Sequence, residues 1–120
     1  MQTIKVTSTK KGIKVVKLKT LANEHYVITD ESGKVFKKLK FVQVDKNLEV
    51  YAEIDGKEEK VVVLENYYDP NTNASVVGMD SNNHEIGYVY NEKDGWYYLL
   101  SDTELGVVAF PFLGVGAGII

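Results

Sequence analysis

The sequence predicts an all-β domain: an antiparallel β-sandwich or packed β-sheets of about seven to nine strands, with a glycine-rich apolar C-terminal segment. Three observations carry this. Apolar stretches recur about every 8–14 residues, with Gly, Asn, Asp or Pro clusters between them. Within these stretches apolar and polar residues alternate, and no 3.6-residue period is sustained. One run, Val61-Val62-Val63-Leu64, is continuously apolar and mostly β-branched, as expected of a strand buried on both faces at the centre of a core. A chain of 120 residues makes one domain, expected over residues 1–105, with residues 106–120 as an apolar glycine-rich segment or linker.

The elements follow in order. Thr3–Thr7 alternates and reads as a strand, and Lys10-Lys11-Gly12 as a turn. In Ile13–Lys19 the apolar parity shifts from Ile13 and Val15 to Val16 and Leu18, which predicts a β-bulge. Thr20–Glu24 is a loop, His25–Asp30 a strand, and Asp30-Glu31-Ser32-Gly33 a tight turn. Lys34–Asp45 shifts parity once and reads as two strands or one bent strand. Lys46-Asn47 turns the chain into Leu48–Asp55, where Leu48, Val50, Ala52 and Ile54 face inward. Asp55-Gly56 signals a hairpin into Val61–Leu64. Tyr67-Tyr68-Asp69-Pro70 ends that strand, because proline cannot continue a ladder. Ser75–Met79, Glu85–Tyr90 and Trp96–Leu100 are further strands, separated by turns at Asp80–Asn83 and Asn91–Gly95. Three segments, VITDESGKVF, AEIDGKEEKVVV and VVGMDSNNHEIGYV, repeat the pattern strand, Asp-containing turn, strand, and read as hairpins of one architecture.

Composition narrows the function classes. Every basic residue is lysine, which argues against nucleic-acid or phosphate recognition through the guanidinium fork. Residues 1–60 carry 13 Lys against 9 acids, and residues 61–120 one Lys against 8 acids, so the two halves are differently solvated or form a docking surface. The chain has no cysteine, which removes disulfides, thiolate catalysis and zinc-thiolate sites. The N-terminus shows no basic region followed by an apolar stretch, so no Sec-type signal is expected. No run reaches the ~18 apolar residues of a membrane-spanning helix. Gly106–Ile120 has no charged or polar side chain. Ending on bare Ile119-Ile120 would leave a sticky terminus, so the natural chain is expected to continue.

Catalytic chemistry finds no foothold, and no enzyme, cofactor or metal is expected. His25 and His84 have no partner at ligand spacing, and no Ser-His-Asp set assembles. Asp80 to Glu85 places oxygen donors at alternate positions but lacks the central glycine of a calcium loop, and a hairpin turn accounts for it. Tyr67, Tyr68, Trp96 and Tyr97 are the candidate ligand-binding residues, with faces suited to sugars or bases. Cross-strand packing is the blander explanation, and the weightier one.

The run VVVLENYYDP, followed after a polar loop by SVVGMDSNNHEIGYVY, resembles the N-terminal domain of large repetitive adhesins exported by the bacterial type I pathway, relatives of the biofilm-associated protein. Glu65-Asn66-Tyr67-Tyr68, Val76–Asp80, Trp96-Tyr97-Tyr98 and Gly106–Ile120 occur in that family's order. The resemblance implies a non-enzymatic retention domain of a cell-surface adhesin. It would fold in the periplasm of a Gram-negative bacterium and hold the chain in the outer-membrane export pore, its partner. Phe110, Pro111, Phe112, Leu113 and Gly114 would then face the pore. The Ala-Ala pair at which some family members are released is absent. The alternative is a carbohydrate- or ligand-binding β-module using the exposed aromatics.

Overall fold

The computed structural model describes residues 1–100. Among them the chain forms twelve strands and no helix. They are β1 (Gln2–Lys5), β2 (Thr7–Thr9), β3 (Gly12–Lys14), β4 (Val16–Lys19), β5 (His25–Thr29), β6 (Lys38–Val44), β7 (Asn47–Ile54), β8 (Lys57–Glu65), β9 (Ser75–Met79), β10 (Glu85–Ile86), β11 (Tyr88–Tyr90) and β12 (Tyr97–Leu99). One sheet has the order β1-β5-β9-β10, the second β11-β12-β6-β7-β8-β4, and β2 and β3 form a separate hairpin. The all-β class is borne out, with more and shorter strands than expected. The segment 106–120 lies outside the described residues.

Among the described residues six of the nine strand pairings are antiparallel, as expected, and three are not. β1 with β5, β5 with β9, and β4 with β8 run parallel. The last two pairings follow from a unit used twice: strand, loop, strand, Asp-headed turn. β4, β5 and the turn at Asp30 form one copy, and β8, β9 and the turn at Asp80 form the other, laid alongside in the same direction. The copies agree in detail. Asn23 and Asn73 precede β5 and β9 and both take left-handed backbone, with φ of 61° and 48°. The Asn73 side-chain amide donates to the Asn23 side-chain oxygen at 3.2 Å. In each turn the Asp Oδ1 accepts from amides two and four residues on: Ser32 and Lys34 at Asp30, Asn82 and His84 at Asp80. A short Asx side chain tolerates such local bonding and the left-handed region. Of the three repeating segments, the first and third are these equivalents, whereas the second is the β7–β8 hairpin.

The parity shifts have different outcomes. In Ile13–Lys19 the shift is a break, not a bulge: the chain leaves β3 and enters another sheet as β4. The bulge occurs in β8, where the register against β7 slips between Val50 and Tyr51. Val50 pairs with Val62 and Tyr51 with Lys60, so Val61 is the extra residue. That is why Val61 and Val62, neighbours on one strand, are both fully buried in the core. Val63 faces the other way between Glu49 and Lys17, and the stems of such polar side chains cover it. β8 therefore holds the centre as expected, but β5 rivals it, since Tyr26, Val27, Ile28 and Thr29 are all buried. Ile4, Tyr26, Ile28 and Val76 face Leu39, Leu48, Val50, Ala52 and Leu64 in a single core. Segment 34–45 is one strand, β6, preceded by a bridge from Val35 to Thr29.

Candidate functional site

The residues expected to face a pore, Phe110, Pro111, Phe112, Leu113 and Gly114, lie outside the described residues. The four aromatic candidates separate into two groups. Tyr67 and Tyr97 belong to the core and Tyr68 packs against it, whereas Trp96, just before β12, turns to the opposite face. There Lys38 and Lys40 place their ammonium groups 4.9 and 5.4 Å from the Trp96 ring centre. The same two lysines bind Glu53 and Glu58 at 3.2 and 2.9 Å. The ring is 8% exposed, so it supports a charged lattice and presents no open stacking face.

The core-side cluster is built by local hydrogen bonding and by register. Asn66 has a φ of 60°, its amide donates to Asn47 Oδ1, and the Tyr68 amide donates to the Lys46 carbonyl. The segment after β8 is thereby clamped to the β6–β7 turn, which fixes Tyr67 and Tyr68 at one end of the core. The strand ends before the proline, at Glu65, where Asn66 turns the chain; Pro70 sits in a further turn closed by the Thr72 amide donating to the Asp69 carbonyl. On the adjacent side Tyr90 pairs directly with Tyr97 between β11 and β12. Tyr97 stands edge-on to Phe41 at 4.8 Å and tilted against Tyr90 at 4.9 Å. Tyr67 and Tyr68 meet edge-on at 5.2 Å. Offset and edge-on rings of this kind attract beyond their buried area.

Burial grades across the cluster. Tyr67 is 5% exposed, Tyr97 8%, and Tyr90 43%; Tyr68 and Phe41 are half-buried. Burial raises the Tyr67 phenol far above its ordinary value, with Tyr68 adding to the effect. Burial raises Tyr68 as well, and the nearby Tyr97 hydroxyl pushes it further. Tyr97 is raised by burial and then by Tyr90. The hydroxyls of Tyr68 and Tyr97 are thus held protonated at neutral pH, as donors and acceptors of hydrogen bonds and not as bases. Those of Tyr68, Tyr90 and Tyr97 make no hydrogen bond to the described residues, whereas the Tyr88 hydroxyl donates to the Phe36 carbonyl at 2.8 Å. The buried Tyr67 hydroxyl lies near the Val76 backbone but makes no well-formed hydrogen bond among the described residues.

Two clefts lie elsewhere. One, of about 430 Å³, has Val6, Ile13, Phe36 and Ile54 at its floor and Asp30 and Glu31 at its rim; both carboxylates are already engaged by nearby Ser and Lys residues. The other, about 770 Å³, runs from Val27 and Thr29 to Met79 and Leu99. Each histidine meets one carboxylate: His25 Nδ1 lies 2.8 Å from Glu85 and His84 Nδ1 3.5 Å from Asp80. Among the described residues no group of three or more His, Asp or Glu stands close enough to hold a metal ion. Asp80, the head of the expected-to-be-empty calcium-like loop, spends its Oδ1 on the turn itself.

Sequence reasoning missed Phe41 and Tyr90 as members of the aromatic cluster. Tyr88 and Tyr90 share a strand face in the sequence, but the β11–β12 register that sets Tyr90 on Tyr97 is written in no local pattern. No protein-family model, curated protein or solved structure matches this chain.

Proposed function

We propose that the domain is a non-catalytic binding module that takes a neutral ring-shaped ligand, a sugar ring foremost, on the exposed Tyr90 and the half-buried Tyr68, with the buried Tyr97 behind them. The observation that carries this is the graded aromatic cluster. Buried rings hold an outer ring, Tyr90, that is 43% exposed, and the adjoining hydroxyls have no partner among the described residues. Tyrosine suits such a task because it offers a large rigid face at low entropy cost together with a polar tip. The raised phenol pKa values support binding by hydrogen bonds over acid–base chemistry. The test is an NMR titration with neutral oligosaccharides, following tyrosine ring signals. Saturable shifts at Tyr68, Tyr90 and Tyr97 are expected. Tyr90→Ala is expected to weaken binding roughly fivefold, the equivalent of about 1 kcal/mol for one ring contact. If no tyrosine signal moves at about 10 mM oligosaccharide, a range that would detect even weak sites, the reading is wrong.

A second reading, retention in an export pore as part of a type I secreted adhesin, draws support from the topology. β1, β5 and β9 tie residues 2–5, 25–29 and 75–79 into one parallel array. A domain closed by such distant contacts resists piecemeal unfolding, and a pore wide enough for an unfolded chain excludes it. Fusing residues 1–120 ahead of a type I export substrate tests this. The fusion should stay cell-attached, and Val62→Asp, which buries a charge in the core, should release it. Free secretion of the intact fusion removes the reading.

A further inference from the structure

The first 19 residues contain six lysines (Lys5, Lys10, Lys11, Lys14, Lys17 and Lys19) and no acid. Among the described residues none of these six makes an ion pair, whereas Lys38, Lys40 and Lys60 each bind a carboxylate. Two of the six stand on β4, the terminal strand of the six-stranded sheet. One edge of β4 pairs with β8, from Val16 beside Val62 to Lys19 beside Glu65. The other edge has no strand beside it among the described residues. Lys17 and Lys19 are exposed there, and Val16 and Leu18 are half-buried.

An unpaired strand edge is a template for one more strand, and lysines along it repel a second copy of the same edge. The same charges select a partner of opposite sign. Lys17 and Lys19 are two residues apart and share one face, which matches carboxylates on alternate residues of an extended segment. The residues between those carboxylates would lie on the side of Val16 and Leu18, where an apolar side chain fits. We propose that β4 is a docking edge for a partner protein's extended segment of alternating acidic and apolar residues, added as a strand beside Val16–Lys19. Main-chain hydrogen bonds supply the pairing, and Lys17 and Lys19 supply the selection. This surface is separate from the aromatic cluster, and neither proposal depends on the other.

A synthetic peptide of alternating Glu and Val is the probe, with binding read by fluorescence anisotropy and the site read by amide hydrogen exchange. Binding is expected together with slowed exchange at the outward-pointing amides of Val16–Lys19. The pair Lys17→Glu and Lys19→Glu should weaken binding more than tenfold, and the milder pair Lys17→Gln and Lys19→Gln should weaken it less while keeping the native circular dichroism spectrum. A peptide of the same charge with proline replacing valine cannot complete the ladder and should fail to bind. Equal binding of the proline peptide, or binding without amide protection, would show general attraction to polyanions and overturn the proposal. Absence of binding to the Glu-Val peptide would overturn it as well. Heparin and single-stranded DNA, run in parallel, should bind no more tightly than the proline peptide.

Discussion

Leu99 lies directly over the α-carbon of Gly78: a β-carbon built at residue 78 would stand 2.1 Å from Leu99 Cδ1 and 3.4 Å from Tyr88 Cε2. The contact joins β9 of one sheet to β12 of the other. Gly78→Ala therefore forces Leu99 out of its seat, with an expected loss of about 1–3 kcal/mol, the usual cost of overpacking. Combining it with Leu99→Ala should recover part of that loss. A double-mutant cycle by urea denaturation reads the coupling, and purely additive effects would contradict the contact.

Tyr88 and Tyr90 are two residues apart on one strand but differ in what they hold. Tyr88 is fully buried and its hydroxyl bonds the Phe36 carbonyl. Tyr88→Phe is expected to cost about 1 kcal/mol, the net worth of one such bond. Tyr90→Phe should leave stability unchanged, since its hydroxyl engages no described residue. Thermal unfolding of the two variants side by side checks the contrast.

Acid should lower the stability of the domain through carboxylates held by local hydrogen bonds. Hydrogen bonds lower the carboxyl of Asp30, first from the Ser32 hydroxyl, and that of Asp80, first from the His84 amide. Asp94 is lowered first by the Tyr98 hydroxyl, and Glu49 first by the Tyr51 hydroxyl. Each group is more acidic folded than unfolded, so its contribution is present above the unfolded values of 3.8 for Asp and 4.5 for Glu. That contribution is lost as pH falls from there through the folded values. Melting temperature should be flat with respect to these groups above pH 4.5 and decline below it. Asp80→Asn should flatten the decline.

Alkali acts through the buried phenols. Tyr67 and Tyr88 are raised by burial above the unfolded value of 10.0. Their protonated forms are favoured in the folded state, so stability falls as pH rises above 10.0. Tyrosinate absorbance should show a step that coincides with loss of the β-sheet circular dichroism signal. A smooth titration of all tyrosines in the folded protein would contradict the burial of these two.

Periodicity made some of this fold readable and left other parts silent. Leu48, Val50 and Ala52 alternate inward because β7 is regular over that stretch and has a polar outer face. The Val61–Leu64 run marked the centre because apolar continuity reports burial directly. The parity shift after Val15 was readable, but a bulge and a change of sheet leave the same trace in a sequence. The true bulge at Val61 was masked by that same continuity, since every neighbour is apolar. Strand direction was legible where a hairpin turn sets it, as at Asp55-Gly56 between β7 and β8, but the parallel pairings were not, because alternation is identical in parallel and antiparallel ladders. Of the aromatic candidates, Tyr67, Tyr68 and Tyr97 share the core side, and their separation from Trp96 depends on register and on where Lys38 and Lys40 reach.

The doubled unit has a consequence for the order in which this chain can acquire structure. β5 lies between β1 and β9, and β4 pairs only with β8, so strands of the first copy find their neighbours in the second. A chain emerging N-terminus first presents β4 and β5 long before β8 and β9 exist to receive them. The β1–β5 pair alone is too small to persist in water. The first copy therefore waits for its neighbours: β4 until residues 57–65 have appeared, and β5 until residues 75–79 have.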